Sequence, residues 1–405
     1  MKPFTGNTRM FHPGLRTTRN SREDRSAPRT GRQDRAKGTD VATIRDVARA
    51  AGVSIATVSR VYNNQTLVNP QTAQHILKIA GDLDYVPNPA ARSLTTRRTH
   101  TFGVLLPDLF GEFYSELIRG IDLIAHRNGF QILLSSFFRN SEDLVMTSKA
   151  MLGRIDGVIM MATDERSINT AAKVRKKVPV VLLNPCKMIE GCHAVAVDNV
   201  RGAKDAVSHL IGLGHRNIAM VAGPEENIDA RDRLTGFRQG LTEAGLDPGA
   251  ALVVPGDFRE LAGYKAGATI LRHKPRPTAV FAANDGMAIG LLASLREWGF
   301  GVPDDIAVVG FDDVALAGFM NPPLTTVHVD ASGLGGHAVE MMLEVLAGGA
   351  DSETRRIVLS PSLKIRQSCG TLDPAQLVRR PLMEPRPSNR DDATPRLQGE
   401  EEVQP

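Results

Sequence analysis

"TIRDVARAAGVSIATVSRVYNN", residues 43–64, carries two helical rhythms separated by one glycine. Ile44, Val47, Ala48 and Ala51 recur at helical spacing, Thr43 stands where a cap belongs, and Gly52 ends the run. Ser54 caps a second predicted helix, along which Val58 and Val61 face inward while Ile55, Ala56, Ser59 and Arg60 point away. A third helix is signalled by Asn69 as cap, Pro70 at the first helical position, and Ile76, Leu77, Ile79, Ala80 and Leu83 as the apolar stripe. Two readings are open: a small bundle of packed helices, since helix pairs with glycine turns are common, or a helix-turn-helix.

Charge separates them. Residues 1–40 hold ten Lys/Arg against four Asp/Glu and residues 41–100 hold seven against three, whereas residues 101–370 come out near −4 and the tail 371–405 at −2. A basic head on an acidic body is the electrostatic footprint of a protein that binds a polyanion through its first hundred residues. The second helix of a helix-turn-helix presents its N-terminal residues to base edges, which accounts for an exposed Ile55–Ala56 pair followed by Arg60. Thr43, Ser54, Thr57, Ser59 and Asn63 complete the expected DNA-facing set, with hydroxyls and an amide that donate to phosphates and so fix register.

Cys186, Cys192 and Cys369 are too few and too irregularly spaced for a disulfide framework, which indicates a reducing compartment, the cytosol. No stretch approaches the roughly 20 apolar residues of a membrane span, so no membrane association is expected. The Arg-, Ser- and Thr-rich start reads as a disordered basic arm or an early start codon, with a transit peptide as the formal alternative.

From Thr101 the chain alternates apolar runs with amphipathic segments. "TFGVLLP", "FQILLS", "GVIMMA", "VPVVLL" and "AVAV" form one group of strands; "NIAMVAG", "LVVP", "TAVFAA" and "IAVVGF" form a second. Such alternation predicts parallel sheets flanked by helices, and two groups predict two lobes. Ligands of doubly wound sheets bind beyond the carboxyl ends of strands. Asp108, Asn184, Asn284–Asp285 and Asp312–Asp313 stand at such ends. Asp285 and Asp313 also read as helix caps. Phe113 and Phe311 are candidates for an apolar wall against a sugar face or a nucleobase, or for ordinary core.

The head and "YVPNPAARSL" resemble the LacI/GalR-type bacterial transcription regulators, and the resemblance continues through "GHRNIAMVAGP", "RDRLTGF", "AVFAANDGMAIG", "IAVVGFDD" and "PPLTTVHVD". It implies a multidomain chain: an all-α helix-turn-helix head, then an α/β two-lobed periplasmic-binding-protein-like core with parallel doubly wound sheets. The expected parts are a disordered basic arm (1–40), the DNA-binding head (41–87), a hinge helix and linker (88–100), an effector-binding and dimerisation domain (101–370) and a disordered tail (371–405). The first lobe takes about 101–199 and 329–345, the second about 200–328 and 346–370. Asn88 caps the hinge helix, too short to be stable alone, and the resemblance puts Ala91 and Leu94 on DNA, with Leu94 wedged into the minor groove at the centre of a pseudo-palindromic operator. It also makes Arg233, Asn284 and Asp312 effector contacts. The tail lacks the leucine heptads of tetrameric members, so a homodimer is expected.

No G-x-S-x-G elbow, H-E-x-x-H, Walker A loop or G-x-G-x-x-G after a strand is present, and Cys186, Cys192 and His193 match no familiar zinc spacing. The expectation is a regulator without catalysis, cofactor or metal, most simply a repressor, controlled by a sugar or sugar derivative. A nucleobase or a partner protein is the alternative effector. A transport solute-binding protein would share the two lobes but has no use for the basic head.

Overall fold

The computed structural model describes residues 42–63, 67–87, 98–137, 141–348 and 354–370, and the chain divides into two compact units between Pro87 and Asn88. Expectations for the arm 1–40, for Asn88, Ala91 and Leu94 of the hinge, and for the tail 371–405 lie outside the described residues.

The first unit is built from α1 (Ile44–Ala50), α2 (Ile55–Asn63) and α3 (Pro70–Asp82). The Thr43 amide and hydroxyl both donate to the Asp46 carboxylate, at 3.1 and 2.6 Å, closing a capping box at the start of α1. Those bonds hold the Asp46 carboxyl below its ordinary range. Gly52 takes the left-handed conformation, φ 64°, that the tight turn requires. Ser54 Oγ then accepts from the Thr57 amide at 3.1 Å and caps α2. Asn69 caps α3 by accepting from the Gln71 amide at 2.9 Å. Val47, Val58 and Ile76, one from each helix, are fully buried at the centre of the bundle. The face of α3 differs from the predicted stripe: Ala73, Ile76 and Ala80 are buried, whereas Leu77 and Leu83 are exposed. With partners as short as α1 and α2, only one narrow stripe of α3 is covered.

The second unit holds two six-stranded sheets. Strands β1 (Thr101–Leu106), β2 (Gln131–Ser136), β3 (Gly157–Met161), β4 (Val180–Leu183) and β5 (His193–Val197) belong to the first; β6 (Ile218–Val221), β7 (Val253–Val254), β8 (Ala279–Ala282), β9 (Ala307–Asp312) and β10 (Thr325–His328) belong to the second. Two further strands, β11 (Arg356–Leu359) and β12 (Ser362–Lys364), complete one sheet each. The orders are β11-β5-β4-β3-β1-β2 and β12-β10-β9-β8-β6-β7, all parallel except β12. Every residue of β3, β4, β6 and β8 is buried, which is why these strands read as continuous apolar runs rather than alternations.

In the first lobe the sheet carries α4 (Glu112–Arg127), α5 (Ser141–Met151) and α6 (Glu165–Val174); in the second, α7 (Asn199–Gly212), α8 (Ile228–Glu243), α9 (Glu260–Arg272) and α10 (Asp285–Glu297). A last helix, α11 (Ala331–Leu346), returns to pack on α4, β3, β4 and β5. It does so at backbone contact: a Cβ added to Gly120 would stand 2.0 Å from the Ser332 carbonyl oxygen. The chain therefore passes between lobes three times, after Val197, after His328 and after Leu359.

The third passage corrects the expected lobe limits. The expected second lobe takes residues 346–370 whole, but β11 pairs in parallel with β5, Ile357 opposite Val195, and so belongs to the first. A four-residue edge strand with one arginine and alternating burial carries too weak an apolar signal to be placed from sequence.

Candidate functional site

The strand ends of the two sheets face a cleft of about 900 Å³ between the lobes. Of the predicted ligand residues, Asp108, Phe113, Arg233, Asn284 and Asp312 line it; Asn184 and Phe311 do not.

Arg233, in the second turn of α8, sits at the floor with its guanidinium engaged on every side. Its Nε donates to Asn199 Oδ1 at 2.9 Å, one Nη donates to the Ala283 carbonyl at 2.5 Å, and the other lies 3.1 Å from Asp312 Oδ1. Its central carbon rests 3.7 Å from the centroid of the Phe311 ring. Phe311 is fully buried and also meets Phe281 edge-on, so of its two expected readings it follows the core one, a platform beneath the arginine and not an apolar wall.

Asp312 and Asp313 both have positive φ, 108° and 58°, a backbone cost that two consecutive non-glycine residues bear only when surrounding contacts enforce it. Those contacts are visible. Asp313 is gripped by Arg366 at 2.6 Å and His328 at 3.0 Å, while the next residue, Val314, donates its amide to Asp285. Asp285 is wholly buried and accepts also from Thr326 Oγ1 at 2.6 Å; a Cβ on Gly310 would stand 2.1 Å from its carboxylate. Burial raises the Asp285 pKa well above the ordinary carboxylate value. Asp285 and Asp313 thus hold the loop that presents Asp312, while the cap of α10 is Asn284.

Asn284 Oδ1 accepts from the Met287 amide at 3.0 Å and its Nδ2 donates to the Phe258 carbonyl at 2.9 Å. Its polar atoms are used in shaping the cleft wall, where Phe258 also stands.

Asn184 is buried at the end of β4. Its Oδ1 accepts from the Val197 amide at 3.0 Å and its Nδ2 donates to Asp229 at 3.2 Å, behind the cleft. It lines a smaller cavity of about 240 Å³ on the far side of Asp229. Asp229 in turn accepts from Asn199 Nδ2 at 2.8 Å and borders both cavities. Burial raises the pKa values of Asp229 and Asp312 to about 6 against the pull of Arg233. Asp312 Oδ1 lies within ion-pair range of Arg233 yet accepts no aligned hydrogen bond, a buried acceptor at the edge of the open space.

The two lobes touch around the cleft. Arg259 Nη2 meets Asp108 Oδ2 at 2.6 Å, the Leu316 amide donates to Glu112 at 3.1 Å, and the Ile228 amide donates to the Thr163 carbonyl at 2.9 Å. Tyr114 stands edge-on to Phe113 with centroids 5.5 Å apart, and burial raises its hydroxyl pKa.

Five lining or supporting residues escape the sequence reading: Tyr114, Asn199, Asp229, Phe258 and Arg259. Asp229 lies one helical turn before Arg233 and Asn199 follows β5, so helical periodicity and the strand-end rule could have reached both. Phe258 and Arg259 stand in a loop after a two-residue strand and leave no periodic signal.

On the head, α2 exposes Ile55, Ala56 and Arg60 and buries Val58 and Val61; Thr57 and Ser59 are half-buried, and Ser54 Oγ lies 2.8 Å from Thr57 Oγ1. The Asn63 side chain lies outside the described residues. Among the described residues no helix is long and apolar enough to cross a membrane, and no group of three His, Cys, Asp or Glu side chains is placed to hold a metal ion.

Residues 43–88 match the bacterial regulatory proteins of the lacI family, and residues 207–369 match a periplasmic binding protein-like domain. The ribose operon repressor of Escherichia coli (strain K12) is 34% identical over 330 residues, 81% of this chain and 100% of its own. Among solved structures, a lac repressor dimer bound to operator and the anti-inducer ONPF is 30% identical at a TM-score of 0.74, covering 82% of this chain and 100% of its own. A transcriptional regulator CelR–cellobiose complex is 32% identical at 0.62, covering 81% and 99%. With this identity sustained across head and lobes alike, the chain belongs to the lacI family of bacterial regulatory proteins.

Proposed function

We propose that this chain is a sequence-specific repressor, acting in the cytosol as a homodimer, whose operator affinity is set by a sugar or sugar derivative held between the lobes. The observation that carries the proposal is the presence on one chain of a helix-turn-helix whose second helix exposes Ile55, Ala56 and Arg60, and of a cleft whose floor joins Arg233 to Asp312. Ile55 and Ala56 meet base edges in the major groove and Arg60 pairs bidentately with a guanine. Thr43, Ser54, Thr57, Ser59 and Asn63 serve the phosphates. The hinge residues Asn88, Ala91 and Leu94 from both subunits act at the operator centre.

In the cleft a ligand touches Asp108, Phe113 and Tyr114 of the first lobe and Arg233, Asn284 and Asp312 of the second, so its binding free energy biases how the lobes close. Sugars suit this arrangement: an aromatic face takes the ring and carboxylates take the hydroxyls. One relative is named for the ribose operon and another was solved in complex with cellobiose, and both support the class. Selection of binding sites from a random DNA pool tests the DNA half. A pseudo-palindrome of two half-sites is expected, and recovery of direct repeats or of no shared motif would contradict a two-fold dimer.

A further inference from the structure

The lining of the cleft is unbalanced in charge. Among the described residues eight carboxylates and three guanidiniums face it, with no lysine or histidine, a formal charge of −5. Each guanidinium already has a carboxylate beside it: Arg233 is 3.1 Å from Asp312, Arg259 is 2.6 Å from Asp108, and Arg166 is 3.5 Å from Asp164. The other five carboxylates, Glu112, Glu226, Asp229, Asp257 and Glu260, have no ion pair among the described residues.

Three of them already accept from the protein, Asp229 from Asn184 and Asn199, Glu112 from the Leu316 amide and Asp257 from the Arg259 amide, but carboxylates only accept hydrogen bonds, so a ligand that meets their remaining lone pairs must bring donors. The floor offers one more acceptor: Asp312 Oδ1 is buried at the cleft edge, and its ion-pair partner Arg233, at 3.1 Å, is not aligned to donate a hydrogen bond to it. An incoming phosphate or carboxylate would bring acceptors and negative charge to a site whose guanidiniums are occupied. Arg233 in particular could turn to an anion only by leaving Asn199, the Ala283 carbonyl and the Phe311 face. Hydroxyls meet no such obstacle, and an ammonium group would gain from the carboxylates and from aromatic faces such as Phe110, Tyr114 and Phe258.

We propose that the effector is a neutral or amine-bearing polyhydroxyl compound, and that the cleft rejects the phosphorylated and carboxylated forms of the same compound. This rests on the effector reading above and narrows it to a charge class.

The test uses the full chain and matched probes: glucose, glucosamine, glucuronate and glucose 6-phosphate as one set, ribose and ribose 5-phosphate as another. Thermal shift and calorimetry rank the members within each set. In a set that binds, the neutral or amine form should bind at least tenfold more tightly than the anionic ones. The double variant Glu112→Gln, Asp257→Asn should narrow that gap at least threefold, which rejection by shape alone would not do. Equal or tighter binding of the anionic form in wild type overturns the proposal and leaves the repressor reading standing, and so does a gap that the double variant leaves unchanged. A flat response to every probe, with operator DNA still bound, removes the sugar-effector reading and this inference together.

Discussion

Arg233 and Asp312 face each other at 3.1 Å with less than a tenth of either side chain exposed. A pair this deep belongs to the fold as much as to any ligand, because removing one partner strands the other charge.

Arg233→Ala should therefore destabilise the ligand-free protein by about 3 kcal/mol, the usual size of such a loss. Asp312→Asn, which keeps the shape, should cost less. Such a loss of folding stability would ordinarily argue against a ligand role. The contacts of Arg233 with Asn199, Ala283 and Phe311 show why it does not: one residue holds the floor and faces the cleft. Urea unfolding of both variants measures the difference.

Acid should stabilise the ligand-free protein through two groups. Asp229 and Asp312 have pKa values raised to about 6 from an ordinary 3.8, burial being the larger cause in each. The native state then binds more protons than the unfolded chain between these values. Their contribution is full below about pH 4 and is lost as pH rises through about 6. Arg233 opposes the shift in both, while the charge of Asp232 adds to that of Asp229 and the charge of Asp229 adds to that of Asp312. Between about pH 4 and 6 the melting temperature of wild type should fall with rising pH relative to that of the double variant Asp229→Asn, Asp312→Asn. Parallel slopes would show that these carboxylates titrate normally.

The lobes are tied across the cleft mouth by Arg259 and Asp108, a partly exposed pair. Exposed pairs contribute at most about 1 kcal/mol. Arg259→Ala should weaken effector binding by about fivefold or less while leaving operator affinity without effector unchanged. Equilibrium titration of both ligands separates the two effects.

Arg60→Ala should lose roughly 1–3 kcal/mol on the selected operator and little on random DNA, because a bidentate guanine contact carries specificity. Deleting residues 1–40 should weaken both kinds of DNA and flatten the salt dependence by about 0.9 log unit for each phosphate no longer neutralised. Fluorescence anisotropy at several salt concentrations distinguishes the two.

The fold is legible in the sequence wherever burial is two-sided. Strands β3, β4, β6 and β8 are apolar from end to end because helices cover both faces, and the head declares itself through caps and Gly52. Strands β10, β11 and β12 leave no comparable signal: "TTVH", "RIVL" and "SLK" mix polar residues into short edges or buried hydroxyl positions. In the site, strand-end position leads to Asp108, Asn284 and Asp312, and the family resemblance to Arg233, which sits inside α8. Direction is not legible. Whether Phe311 points to the ligand or to the core, and whether Asn184 reaches the cleft or stops at Asp229, depends on side-chain geometry that neighbouring elements decide.

Occupancy of the cleft should change the grip of the head on DNA. The direct measurement is operator affinity across a titration of a ligand that stabilises the protein, in wild type and in Asp312→Asn. A coupling of about 1–3 kcal/mol, or about 5- to 150-fold in operator Kd, is expected in wild type and should be lost in the variant at matched concentrations. A ligand that stabilises wild type but leaves its operator Kd unmoved, or that shifts Kd equally in the variant, would contradict the account.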